Sequence, residues 1–137
     1  MRVLIVEDDA VISIMMEDAL EEAGHVVVGA VASAAAARRL LAHSLPDLLL
    51  VDVNLADGET GCRFASESHR RWNVPTIFVT GSPEKARVCD DAIGVLVKPF
   101  RPGSVSAAVD VASALETGEE VALPAELELF GRTQPVH

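Results

Sequence analysis

Runs of apolar, β-branched-rich residues alternate along this chain with stretches whose apolar residues recur every three or four positions. Residues 2–6 form the first run and are predicted as a strand. Ile12, Met15, Met16, Ala19, Leu20 and Ala23 then repeat at helical spacing, with Asp9 as the cap and Gly24 as the stop. A second strand is predicted over 26–31, and Ser33 caps an alanine-rich helix reaching about residue 42. Pro46 opens a third strand over 47–51, and Ala56-Asp57-Gly58-Glu59 reads as a turn. A third helix follows over about 60–72, with Phe64, Ala65 and Trp72 on one side. Pro75 begins the fourth strand, and Ser82-Pro83 starts a short helix reaching about residue 91. Residues 93–97 are the fifth strand. The last helix begins near Pro102, carries Val105, Ala108, Val109, Ala112 and Leu115 at core spacing, and stops at Gly118.

Five strand–helix units in succession predict an α/β fold with a doubly wound parallel sheet, because right-handed crossovers place helices on both faces. A length of 137 residues fits one domain, taken here as residues 1–118. Residues 119–137 break the pattern, with Pro124, Gly131 and Pro135 among scattered apolar positions. They read as a frayed tail or as a short segment that docks on its own domain or on a partner. Nineteen residues after Gly118 are too few for an output domain, so a stand-alone module is expected.

Composition narrows the function. A formal net charge of −10 argues against nucleic-acid binding, which needs clustered Lys and Arg. Cys62 and Cys89 stand apart and form no C-x-x-C pair, so neither a zinc site nor a disulfide is expected, and a reducing cytosol is the natural setting. The apolar run at 3–6 ends at Glu7-Asp8-Asp9 and is too short for a signal peptide or membrane span. A cytoplasmic protein with no membrane association is expected. His25, His43, His69 and His137 read as ordinary surface or helix-end histidines.

Four strand ends carry the chemistry: Glu7-Asp8-Asp9, Asp52-Val53-Asn54, Thr80-Gly81 and Lys98-Pro99. Parallel strands would deliver all of them to the carboxyl edge of one sheet, where ligands bind in open α/β folds. Clustered carboxylates suit a hard cation with oxygen ligands, Mg²⁺ ahead of a caged Ca²⁺. Asp52, ending the third strand, is then placed to act as a nucleophile toward phosphorus. Lys98 offers a point charge and Thr80 a hydroxyl to a phosphoryl group. Pro99 is a candidate cis proline that would aim the lysine inward. Singly, each element also reads as turn or capping chemistry. The ordered combination is what points to phosphoryl transfer.

In that combination the chain resembles the response-regulator receiver domains of two-component signalling, over residues 1 to about 118. The resemblance implies a flavodoxin-like (βα)5 sheet with strand order 2-1-3-4-5. It also implies that Asp52 is the phosphoacceptor and that Asp8 binds Mg²⁺ directly, with Glu7 binding it through water. Asn54 would offer its backbone carbonyl to the metal, and Asp9 matches the helix-capping position. Thr80 would be the switch hydroxyl and Lys98 the phosphate-sensing lysine. The implied partners are a histidine kinase or histidine phosphotransferase and an unknown downstream protein, with phosphorylation-dependent homodimerisation as a family habit. The implied role is a phosphoacceptor, not an enzyme acting on an external substrate.

Three departures bear on output. Val95 stands where receivers commonly carry Tyr or Phe, the Thr80-to-Lys98 interval is short, and Ala56 replaces a common proline ahead of a longer loop. With Phe78-Val79-Thr80-Gly81, these features resemble the F-x-T-G variant subgroup. Three rival readings remain. A degenerate receiver used as a scaffold is the first. An aspartyl-phosphate phosphatase would want an acid where Asn54 stands, and a flavin binder would be repelled by the acidic triplet.

Overall fold

The computed structural model describes residues 1–131. Its order is β1 (Arg2–Val6), α1 (Ala10–Glu22), β2 (Val26–Val31), α2 (Ala34–Leu41), β3 (Leu48–Val51) and α3 (Gly61–Trp72). β4 (Thr76–Thr80), α4 (Pro83–Arg87), β5 (Gly94–Val97), α5 (Pro102–Thr117) and β6 (Leu127–Leu129) follow. The sheet runs β2-β1-β3-β4-β5-β6, with the first five strands parallel and β6 antiparallel to β5. The doubly wound arrangement and the order 2-1-3-4-5 are those expected from the sequence.

Strands covered on both faces are largely apolar, and β3 and β4 are buried at every position. The period of two divides them between two cores. Val3, Ile5, Leu48, Leu50, Ile77, Val79 and Leu96 face Met16 and Leu20 of α1 and Val105, Val109 and Ala112 of α5. Leu4, Val6, Leu49, Val51, Phe78 and Val95 face Ala34, Ala37 and Leu41 of α2, Phe64 and Ala65 of α3, and Ala86 of α4. With so few aromatics, Phe64 and Phe78 are the largest fully buried side chains.

The helix ends follow local chemistry. Asp9 accepts from the Val11 and Ile12 N–H groups at 3.0 and 3.1 Å, and the Ser33 hydroxyl accepts from Ala36 N–H at 3.1 Å. Asp57, in the turn after β3, reaches across to accept from Ala34 and Ala35 N–H, both at 3.2 Å. It thereby adds a carboxylate at the amino end of α2. Thr60 donates to this same carboxylate at 2.8 Å, and that hydrogen bond leads the causes that hold the Asp57 carboxyl below its ordinary range.

Three features differ from the sequence expectation. α4 ends at Arg87 rather than near residue 91, because Cys89 turns inward and Asp91 takes a left-handed backbone with φ of 65°. Cys62 and Cys89 form a disulfide with Cα atoms 5.6 Å apart, against the expectation of none. Twenty-seven residues separate them in sequence, but α3 and α4 cover the same sheet face and bring the start of one to the end of the other. The bond removes the sequence's ground for inferring a reducing setting. Finally, a sixth strand that the sequence did not predict pairs with β5, and Phe130 is buried beside it, so residues 127–130 follow the docking reading of the tail. Residues 132–137 lie outside the described residues. Among the described residues no helix is long and apolar enough to cross a membrane.

Replacing Phe64 by Ala should cost about 3–5 kcal/mol, through lost transfer energy and the cavity left behind. Val11, 77% exposed on α1, should tolerate Ala within about 0.5 kcal/mol. Urea unfolding midpoints measure both.

Candidate functional site

The carboxyl ends of β1, β3, β4 and β5 converge, and backbone bonds fix their mutual register. Asp52 N–H donates to the Val6 carbonyl at 3.0 Å, which sets Asp52 beside Glu7. Lys98 N–H donates to the Thr80 carbonyl at 2.9 Å, tying the end of β4 to the residue after β5. The Lys98–Pro99 peptide is cis.

Lys98 sits at the centre of the charges. Its Nζ lies 2.6 Å from Glu7 Oε1 and 2.8 Å from Asp52 Oδ2. The Lys98 ammonium thus contacts both carboxylates at charge-assisted hydrogen-bond distance. The other Glu7 oxygen accepts from Asp9 N–H at 3.1 Å, and Asp52 Oδ1 accepts from Asn54 N–H at 3.2 Å. Glu7 and Asp52 are buried, at 3% and 7% exposure, while Asp8 is exposed at the mouth. Glu7, Asp8 and Asp52 each present a carboxylate oxygen, all within 4.8 Å of one another.

Burial sets the electrostatics. It pushes the Glu7 carboxyl above its ordinary value, against the Lys98 hydrogen bond and the Asp9 N–H, which pull the other way. For Lys98, burial is the largest single influence and favours the neutral amine. The two carboxylates together outweigh it and hold the ammonium above its ordinary value.

Of the residues singled out from sequence, the fold gathers Glu7, Asp8, Asp52 and Lys98 into one cluster, with Asn54 bonded to it through its N–H. Asp9 is the α1 cap. Thr80 is buried at the adjacent strand end, but its hydroxyl serves its own loop, accepting from Ser82 N–H at 3.1 Å.

Gly61 has a part that sequence reasoning missed. Its N–H donates to the Val53 carbonyl at 3.1 Å, and a Cβ there would collide with the Asp52 backbone carbonyl. The signal was a glycine just inside a helix, where it costs about 1 kcal/mol relative to Ala unless another backbone must come close.

The model of the response regulator receiver domain family matches residues 3–110. The phyllosphere-induced regulator PhyR of Methylorubrum extorquens is 33% identical over 114 residues, covering 81% of this chain and 43% of that protein. The chain thus spans less than half the length of that relative. The solution structure of the Erythrobacter litoralis PhyR receiver domain superposes with a TM-score of 0.72 at 30% identity, covering 89% of this chain and 95% of that one. The anti-anti-sigma factor PhyR from Bartonella quintana gives 0.74 at 28% identity, covering 85% and 49%.

The raised Glu7 value has a consequence for stability in metal-free buffer. The folded state holds this proton more tightly than the unfolded chain, so losing it disfavours folding. That penalty is absent below the unfolded value of 4.5, grows as pH rises through the folded midpoint, and is constant above it. With EDTA present, the stability of the wild type relative to Glu7→Gln should therefore fall across this window. A difference that stays flat with pH in urea titrations would contradict the assignment.

Proposed function

This chain belongs to the response regulator receiver domain family, a family of signalling modules rather than classical enzymes, and on that premise we propose that Asp52 is its phosphoacceptor. The observation that carries this reading is the gathering of the Glu7, Asp8 and Asp52 carboxylates around one sheet-edge point, with Lys98 bridging two of them. The donor is a phosphohistidine on a kinase or phosphotransferase. Asp52 Oδ attacks phosphorus, the P–O bond forms as the P–N bond breaks, and the imidazole leaves with its electron pair and takes up a proton.

The donor set suits Mg²⁺, since all three ligand candidates are hard carboxylate oxygens that lie within 4.8 Å of one another. Asp8, Asp52 and Glu7 would hold it, with the Asn54 carbonyl as a further ligand. When bound, it neutralises charge on the phosphoryl oxygens.

The remaining work falls to the chain's own groups. Lys98 exchanges its contact with Asp52 Oδ2 for a phosphoryl oxygen. Thr80 gives up its loop contact and donates its hydroxyl to another. Because Lys98 and Thr80 share a backbone hydrogen bond, the two movements are linked. They bias a pre-existing equilibrium in the face formed by α4, β5 and α5. A net charge of −10 and the likeness to an anti-anti-sigma factor both favour a protein as the downstream partner, not nucleic acid.

Incubation with acetyl phosphate and Mg²⁺, followed by intact mass measurement, tests the assignment. One phosphoryl adduct is expected on the wild type, and none without Mg²⁺ or in Asp52→Asn. An adduct retained by Asp52→Asn would overturn it.

A further inference from the structure

Residues 126–130 read Glu-Leu-Glu-Leu-Phe, a strict alternation of acid and apolar side chains closed by an aromatic. Their backbone lies along the free edge of β5. Val97 N–H donates to the Glu126 carbonyl at 2.9 Å, and Phe130 N–H donates to the Ile93 carbonyl at 3.0 Å. That edge is shaped to admit another chain. Gly94 pairs with Leu129, and a Cβ at 94 would collide with the Glu128 carbonyl. A glycine inside a strand is the expected mark of such a close backbone approach.

Two arginines flanking the edge hold the two glutamates. Arg87 of α4 donates to both Glu128 carboxylate oxygens at 2.8 and 2.9 Å. Arg101, at the start of α5, donates to both Glu126 oxygens at 3.1 and 3.0 Å, joined by the Ser104 hydroxyl at 3.0 Å. Leu127 enters the core on the α5 side, and Phe130 enters the cluster holding Ala86, Cys89 and Val95 on the α4 side.

The hold is nevertheless shallow. β6 has three residues, and residues 119–126 carry neither helix nor strand. Arg101 and Arg87 are 73% and 50% exposed, so both guanidinium groups are open to an exchange of partners.

We infer that the β5 edge between α4 and α5 is a strand-accepting surface, and that residues 126–130 are its resident, displaceable occupant. The competing partner is a protein carrying an extended segment of alternating glutamate and apolar residues that ends in an aromatic. Main-chain pairing supplies adhesion, and the two arginines supply selectivity for acidic residues two positions apart. The inference does not depend on phosphorylation of Asp52.

A fluorescent synthetic peptide with the sequence of residues 124–131 is the probe, used with the full chain. The tethered resident competes at an effective concentration on the order of millimolar, so the peptide should bind the wild type weakly. In the double variant Glu126→Gln, Glu128→Gln the resident is loosened, and the peptide should bind about tenfold more tightly or better. Adding Arg87→Gln and Arg101→Gln should abolish that gain. These substitutions lie outside both apolar clusters, and amide exchange in β1 and β3 verifies the fold. Unchanged peptide affinity would overturn the inference in either of two ways. With the amides of residues 127–129 still protected, β6 is a permanent strand, and with those amides exchanging freely, the edge accepts no strand in trans.

Discussion

A single ammonium group, Lys98 Nζ, holds the carboxyl edge of the sheet together by standing between Glu7 and Asp52 at 2.6 and 2.8 Å. Two carboxylates about 4 Å apart repel by about 4 kcal/mol at an effective dielectric of ~20. Without the cation, burial would push Glu7 still further toward protonation. The ion pair therefore lets the fold bury two acids side by side. The raised Glu7 value shows how close the balance is, since burial outweighs the lysine there. Asp8, at the exposed mouth, adds a third carboxylate that the lysine does not touch and that only a second cation would neutralise.

That arrangement depends on strand register. The apolar runs of β1, β3 and β4 can be buried on both faces only if covered by helices on both sides, which forces parallel strands and sends every carboxyl end to one edge. Asp52 N–H on Val6 and Lys98 N–H on Thr80 then set the spacing. Gly61 contributes by omission, because any side chain there would displace the backbone that carries Asp52. The same logic recurs at Gly94, where the missing side chain lets β6 approach β5.

Most of the first five strands was legible because their apolar runs are unbroken and bounded by Pro, Gly or acids. The residues of the acidic and basic cluster were legible for the same reason, each ending a run. What escaped were contacts between parts distant in sequence. Cys62 and Cys89 carry no spacing motif, and only the shared helical face brings them together. The Glu-Leu-Glu-Leu-Phe alternation does carry a period of two, but three β6 residues amid prolines are too short a signal. Its partners Arg87 and Arg101 lie 41 and 25 residues away from the glutamates they bind. Asp57 likewise reads as a turn residue, and its hold on the start of α2 emerges only in three dimensions.

On the proposed reading, Lys98 and a divalent cation compete for the same carboxylates. Calorimetric titration of Mg²⁺ into the wild type, Asp52→Asn, Asp8→Asn and Lys98→Met tests it most directly. One site is expected in the wild type, with weaker binding in both Asn variants and tighter binding in Lys98→Met, where the resident cation is gone. Equal affinity in the wild type and Lys98→Met, with both folded, would contradict it.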